Sequence, residues 1–489
     1  MIIQASGNSV DWYEYINSFG LVPYVRKKGR GNRIKREVLN LICAFDIETT
    51  TLWMNPDKTL YDVHSFMYKW QMQIEEYTIS GRTWEEFFDF LKVLEIAIER
   101  IKSEKKLEKN PYLVLFVHNL AFEWAFLSGV YNFRNDECFF RDKRKPLYCQ
   151  MFDTFEFRCS YLQTNLSLSA LCKQTGVEEK LSGQKYDYDK IRFPWTKLNA
   201  YEEEYCNRDV SSLVEAMRYR ITKGGDTLIT MPLTSTGYVR RECKEALKSK
   251  YLTIRSLKPE VEEYRLLREC FRGGNTHANR YYVGQILEDV YSYDIASSYP
   301  TQQLTHKFPM KPFRWLEMEG FKQKDRIALV LSYIGLGYAV CGTYYFEGIH
   351  LKNQREPIPY ISLSKCDAIG FRLDNGRILY ADTLCISCTE IDLDIIIKQY
   401  DFKSIGVSRC MIAKKDYLPE EYRKVILDYY TNKTALKGDD TEDGIYMYTK
   451  SKNMLNSIYQ MECLQQTRYI KKLHIIMVIG LYRGMKIDL

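Results

Sequence analysis

Two kinds of apolar spacing alternate along the first half of this 489-residue chain. From Val38 to Phe45, and again over Tyr112-Leu113-Val114-Leu115-Phe116-Val117, short apolar runs predict buried strands. Between them, Trp84 to Leu107 repeats apolar positions at helical intervals and predicts an amphipathic helix. Strand and helix patterns alternate to about residue 220, the signature of an α/β domain, with residues 1–39 as a polar and basic lead-in. Lys223-Gly224-Gly225-Asp226 breaks a helical pattern and marks a boundary. Beyond it, Val239 to Leu257 reads as helix and Val290 to Tyr293 as a strand. Residues 301–415 mix proline-punctuated loops with short strands. Tyr417 to Tyr459 reads as helix, interrupted by the turn Lys437-Gly438-Asp439-Asp440.

A chain this long exceeds one hydrophobic core and implies about two to four domains. The net charge of +7 is modest, so local clusters carry more information than the total. Arg26 to Arg36 holds seven cations in eleven residues, and Arg141 to Lys145 holds four in five. Either is a solvated loop or a phosphate-binding patch. Fourteen cysteines without framework spacing fit a reducing, cytoplasmic setting. The lone CxxC, Cys385 and Cys388, lies in an alternating strand-like run with no second pair to complete four zinc ligands. The start of the chain has no signal-peptide pattern. Ile327 to Phe346 is uncharged, but three glycines and four tyrosines make it a buried helix and strand rather than a membrane span.

Ala44-Phe45-Asp46-Ile47-Glu48-Thr49-Thr50 places Asp46 and Glu48 two apart on a strand, so both carboxylates share one face. Two acids side by side call for a positive partner, and paired metal ions at a phosphodiester are one solution. His118-Asn119-Leu120-Ala121-Phe122-Glu123 follows a strand and offers a further acid with an aromatic. Tyr205 and Asp209 are four apart, neighbours on one helix face, where the acid can ligate metal and the phenol can orient water. Each piece alone has an ordinary structural explanation. In this order the three resemble the exonuclease motifs of family B DNA polymerases. The resemblance implies an RNase H-like fold that removes 3′-terminal nucleotides, with metal held by Asp46, Glu48, Glu123 and Asp209. The family usually has Asp where Glu123 stands. By the same resemblance Thr49, Asn119 and Phe122 contact a single-stranded 3′ end, and a lysine near Lys180 to Lys185 serves the scissile phosphate.

Tyr293-Asp294-Ile295-Ala296-Ser297-Ser298-Tyr299-Pro300 puts a second carboxylate at the end of an apolar run. The string resembles polymerase motif A, D-x-x-S-L-Y-P, with Ser298 in place of Leu. It implies a metal ligand in Asp294, a sugar-packing ring in Tyr299 and a DNA contact at Ser297. Lys452-Asn453-Met454-Leu455-Asn456-Ser457-Ile458-Tyr459 resembles motif B. Lys452, Asn456 and Tyr459 share one helix face, Lys452 facing triphosphate oxygens, with Lys433 a further candidate. Phe271-Arg272-Gly273-Gly274 matches the Y/F-x-G-G element that helps pass DNA between polymerising and editing sites. Paired glycines beside a cation let backbone amides approach phosphate, and the resemblance implies DNA contacts at Arg272, Gly273 and Gly274.

The motif order, over about residues 40–459, is most similar to the protein-primed branch of bacteriophages and linear plasmids. The resemblance implies α/β and α+β multidomain architecture: an RNase H-like 3′–5′ exonuclease domain over 40–222, then an incomplete family B palm and fingers over 223–489. An insertion at about 301–415 corresponds to the region that engages a terminal protein. The implied cofactors are Mg²⁺ or Mn²⁺ in two-metal sites, with dNTPs as substrate. The implied partners are primer-template and single-stranded DNA and a terminal protein primer, without a membrane, in a host cytoplasm if phage-encoded. The third polymerase motif, Y-x-D-T-D-S, does not occur, and Gln460 stands where motif B ends in Gly. Permitted codons for Met461 to Arg468 read in another frame as Gly-Met-Ser-Ala-Thr-Asp-Pro, which predicts an interrupted reading frame. The expectation is a proofreading polymerase family member whose own polymerisation is impaired; the alternatives are an exonuclease only, or a non-catalytic DNA-binding relic.

Overall fold

The computed structural model describes residues 2–4, 10–22, 36–54, 63–178, 181, 186–295, 297–352, 358–439, 441 and 443–458. They form two compact units, one of Met1–Arg240 with Thr431–Ser457, the other built on Arg241–Tyr430.

The first unit is organised by β1 (Ile2–Gln4), β2 (Cys43–Trp53), β3 (Val63–Ile74), β4 (Tyr77–Gly81), β5 (Leu113–Val117), β6 (Cys138–Asp142), β7 (Lys145–Met151) and β8 (Phe155–Cys159). They make one mixed sheet in the order β1-β4-β3-β2-β5-β8-β7-β6. Strand β2 lies inside it, antiparallel to β3 and parallel to β5. Period-two alternation splits β2 between two cores. Phe45 and Ile47 join Phe87, Leu91, Leu94 and Ile98 of α2 (Trp84–Glu104) on one face. Ala44 joins Val114, Phe116 and, from α4 (Ala200–Gly224), Val210, Leu213 and Met217 on the other. Capping boxes start both helices, Thr83 with Glu86 and Asn199 with Glu202. Each such cap contributes about 1 kcal/mol.

Two expectations change here. The lead-in is not an appendage: β1 extends the sheet, and α1 (Trp12–Ser18) buries Trp12, Tyr13 and Ile16, with Trp12 edge-on to Phe90 at 5.5 Å. The glycines at 224–225 end α4, Gly225 at φ +60, yet the packing continues past them. Leu228 and Met231 enter the same core, and the Gln163 amide donates to the Pro232 carbonyl at 2.8 Å. A helix at 443–458 belongs to this unit as far as Ser457, its Tyr446 edge-on to Tyr219 at 5.5 Å and its Asp443 2.7 Å from the Lys223 ammonium.

In the second unit, β9 (Ala339–Leu351), β10 (Cys366–Asp374), β11 (Arg377–Thr389) and β12 (Ser404–Ala413) form an antiparallel sheet in the order β12-β9-β11-β10. Its helices include α5 (Val261–Cys270), α6 (Ser298–Thr305), α7 (Gln323–Gly335) and α8 (Glu390–Gln399), and α9 (Glu420–Ala435) follows. The uncharged stretch from Ile327 is α7 followed by β9, as its glycines and tyrosines predict. Among the described residues no helix is long and apolar enough to cross a membrane. Cys385 and Cys388, three apart on β11, point to opposite faces.

The strand expected at Val290–Tyr293 is not formed. This segment is irregular and its apolar side chains lie in solvent, Tyr293 at 91% exposure and Val290 at 70%. A strand-like sequence becomes a strand only beside a neighbour that takes its backbone hydrogen bonds. Among the described residues no strand pairs with this one.

Candidate active site

Asp46 and Glu48 project from β2 on the side of Ala44, toward α4. Helix α4 returns Asp209 to the same place while Val210, Leu213 and Met217 fix its rotation in the core. Carboxylate oxygens of Asp46, Glu48 and Asp209 lie within 4.8 Å of one another. Glu123 arrives from the strand-to-helix turn after β5, in the first turn of α3 (Leu120–Val130). Asn119 makes that turn in the left-handed region at φ 73, a conformation Asn tolerates better than most residues. Glu123 is buried, its side chain hydrogen-bonds Asp46, and its Oε2 has no donor.

The electrostatics follow from this crowding. Burial, then the Asp46 and Asp209 charges, push the Glu48 carboxyl well above the usual carboxylate range. Burial and the Asp46 charge do the same to Glu123. A hydrogen bond between two carboxylates needs a shared proton, so the metal-free cluster retains protons that unfolded acids lose. These groups fit divalent cations: several hard oxygen donors converge, they repel one another without a counter-charge, and Glu123 keeps an unsatisfied oxygen.

Tyr205 stands one turn before Asp209 and is buried. Its hydroxyl lies 2.6 Å from that of Tyr188, and its ring packs on Tyr186 with centroids 4.3 Å apart. Burial, then the Tyr188 hydrogen bond and the Asp209 charge, raise its phenol, which stays neutral and keeps its proton to donate. Sequence reasoning missed three neighbours. Gln71 and Lys69 are the cross-strand partners of Asp46 and Glu48, and both are buried. The third is Tyr188. The signal for the first two was legible: polar residues two apart inside the apolar run of β3, matching the spacing of the acids opposite.

The remaining expected contacts surround this cluster or lie apart from it. The β2–β3 pairing shifts register between Glu48 and Thr49, which leaves Thr49 half-buried just beyond the acids. Phe122 on α3 is 43% exposed, its ring 5.3 Å from Phe126. Arg141, Lys143, Arg144 and Lys145 crowd the exposed β6–β7 hairpin tip. Lys180, Lys185, residues 26–35, Tyr459 and the tail 460–489 lie outside the described residues.

In the second unit, Arg272 is committed to its own fold. Its guanidinium donates to the Cys270 and Ser387 carbonyls at 2.9 and 3.0 Å and lies 3.4 Å from the Asp392 carboxylate. Gly273 and Gly274 are exposed, and a Cβ at either would touch nothing within 4 Å. Asp294 is exposed on the unpaired segment. Ser297, at φ 51, precedes α6, on which Tyr299 is 49% exposed. Lys452 and Asn456 belong to the first unit and are both exposed on the 443–458 helix, whose Met454, Leu455 and Ile458 are buried. Lys433, in the end of α9 that belongs to the first unit, is half-buried. Asp294 and the Lys452–Asn456 pair are thus described in different units.

Residues 154–459 match the family model for DNA polymerase type B, organellar and viral. No curated protein matches the sequence. The fold is similar to phi29 DNA polymerase complexed with primer-template DNA, with a TM-score of 0.61 and 16% identity over 86% of this chain and 67% of that one. It is similar also to phi29 DNA polymerase complexed with single-stranded DNA (TM-score 0.59, 16% identity, 86% and 67%). An orthorhombic crystal form of the same enzyme gives a TM-score of 0.60 at 17% identity, with 86% and 67% covered. At that identity the likeness establishes the fold, and the family match, spanning more than half the chain, establishes the lineage. The chain belongs to the organellar and viral type B family of DNA polymerases.

Proposed function

We propose that the first unit is a metal-dependent 3′–5′ exonuclease acting on DNA ends, within a polymerase of the protein-primed type. The observation that carries this reading is the convergence of Asp46, Glu48 and Asp209 within 4.8 Å, with Glu123 hydrogen-bonded to Asp46. Asp46, Glu48, Glu123 and Asp209 hold the ions, Mg²⁺ or Mn²⁺, in this proposal. Two such ions, when bound, stabilise the attacking and leaving oxygens of a phosphodiester displacement. The chain's own residues do the rest. Tyr205, neutral and fixed by Tyr188, orients the attacking water. Thr49, Asn119 and Phe122 hold the terminal nucleotides, the exposed Phe122 ring giving a base a surface to stack on.

Polymerisation needs more than Asp294 offers. One exposed carboxylate cannot fix two ions, and among the described residues Asp294 belongs to no group of three or more possible metal ligands. In this reading Tyr299, Lys433, Lys452, Asn456 and Tyr459 serve the nucleotide once the palm is completed. Gly273, Gly274 and Ser297 contact the DNA backbone, and Arg272 shapes the Gly273–Gly274 turn instead of reaching phosphate itself. The sheet over 301–415 receives a terminal protein, and the 141–145 hairpin adds sequence-independent phosphate contacts.

The test is a 5′-labelled primer–template incubated with the purified chain and Mg²⁺, with and without dNTPs. Shortening in both mixtures, abolished by chelation, is the expected result. Extension contradicts the assignment of an incomplete palm, and complete inertness contradicts the exonuclease.

A further inference from the structure

The acid cluster has a neighbour that neither the motifs nor the family match assigns. Gln71 lies across from Asp46 in the β2–β3 ladder and is fully buried. Its Nε2 donates to Asp46 Oδ2 at 2.7 Å and reaches Glu48 Oε1 at 3.4 Å, so one amide group spans both carboxylates. This orientation, N–H₂ toward the carboxylates, is the one that serves them when both are ionised, as they must be to hold a cation. That leaves Oε1 buried and without any hydrogen-bond donor. An orphaned buried acceptor is costly, and folds keep one where something else satisfies it in the working state.

We propose that Gln71 is a positioning residue for the metal site: its amide N–H₂ presets Asp46 and Glu48, and its Oε1 accepts from water carried by a bound divalent cation. The inference rests on the exonuclease reading above. Burial and mutual repulsion work against ionising these acids together, and a donor shared between them favours the charged pair that a cation needs. An outer partner of this kind commonly sets metal affinity by about 10- to 100-fold. Gln73, two residues on, provides the control. It is likewise buried, but its Nε2 donates to the Glu75 carbonyl at 2.6 Å and not to the acid cluster.

The experiment titrates the full chain with Mn²⁺, following free ion by electron paramagnetic resonance, for wild type, Gln71→Met and Gln73→Met. Thermal unfolding of the metal-free proteins and the metal dependence of primer degradation are recorded alongside. The expected result is a loss of Mn²⁺ affinity of about 10- to 100-fold in Gln71→Met alone. Degradation by that variant should recover to within about threefold of wild type at saturating Mn²⁺, a half-saturation effect and not a rate effect. Should Gln71→Met not fold, Gln71→Asn, which withdraws the amide by one methylene, is read the same way. Unchanged Mn²⁺ affinity in a folded Gln71 variant overturns this inference and leaves the exonuclease standing. An equal loss in Gln73→Met also overturns it, since the effect is then general to the strand. Wild type that binds no Mn²⁺ overturns the exonuclease reading itself.

Discussion

Asp46 and Asp294 come from strings of one kind, an apolar run closed by a carboxylate, and the fold treats them differently. The run before Asp46 becomes an inner strand with neighbours on both sides, Phe45 and Ile47 in one core and Ala44 in the other. Among the described residues the run before Asp294 has no strand beside it, and Val290, Tyr291 and Tyr293 stand in solvent. The difference lies in what other segments supply. At Asp46, three more elements deliver Gln71, Glu123 and Asp209, and the resulting crowd of acids invites cations. A carboxylate joins a cluster that fits a cation through the company its strand keeps.

That contrast can be broken by mutation, and the largest effect is expected in the buried strand. Phe45→Ala removes a fully buried ring packed on Phe87 and Phe157 and should cost about 3–5 kcal/mol in chemical denaturation. Ile295→Ala, at a side chain 68% exposed, should change stability by less than about 0.5 kcal/mol. Comparable losses at both sites would mean that the Asp294 segment is packed in solution.

A smaller effect concerns protons. Glu48 and Glu123 are raised in the folded state, so between the unfolded carboxylate value of about 4.3 and their raised values the folded protein holds protons the unfolded chain has released. Metal-free stability from these groups therefore falls as pH rises through that window. Glu202 has the opposite sign. Burial pushes it up, but Lys190, the Asn199 amide and Arg192 outweigh burial and hold it at about 2, so its contribution is lost only as pH falls toward 2. Glu123→Gln, measured in chelator near pH 8, should stabilise the first unit, seen as a higher melting temperature than wild type. The rise in melting temperature on adding Mg²⁺ should grow with pH over the same window, because the ion needs deprotonated ligands. A Mg²⁺ effect independent of pH would contradict the acid cluster as its site.

The smallest expected change lies at the paired glycines. Nothing within 4 Å opposes a Cβ at Gly273, so Gly273→Ala should leave stability within about 0.5 kcal/mol of wild type. If its amide approaches DNA, the same change should weaken primer–template binding a few-fold in a salt titration.

How much of this could be read beforehand depended on whether the deciding contact was local. Strands β2 and β5 and helix α2 announced themselves because unbroken and 3.6-spaced apolar runs carry their own burial pattern. Lys452 and Asn456 fell on one exposed helix face as their spacing required. The lead-in was harder, because the basic run after Val25 masked the apolar Trp12, Tyr13 and Ile16 that anchor α1. Val290–Tyr293 showed the converse limit, since strand propensity says nothing about whether a partner is present. Gln71 showed as a polar residue inside the apolar run of β3, but its pairing with Asp46 is set by register, and Tyr188 arrives by a chain crossing that no single-segment pattern contains. Arg272 looked like a phosphate ligand because the Ser387 carbonyl and Asp392 that occupy it lie more than a hundred residues away.

The most direct measurement compares Asp46→Ala with Asp294→Ala on one 5′-labelled primer–template, under single-turnover conditions in Mg²⁺. The account predicts that Asp46→Ala slows 3′ shortening on the order of 10³-fold, several kcal/mol of lost charge stabilisation, while Asp294→Ala shortens the primer at the wild-type rate. Equal losses in the two variants, or none in Asp46→Ala, would contradict it.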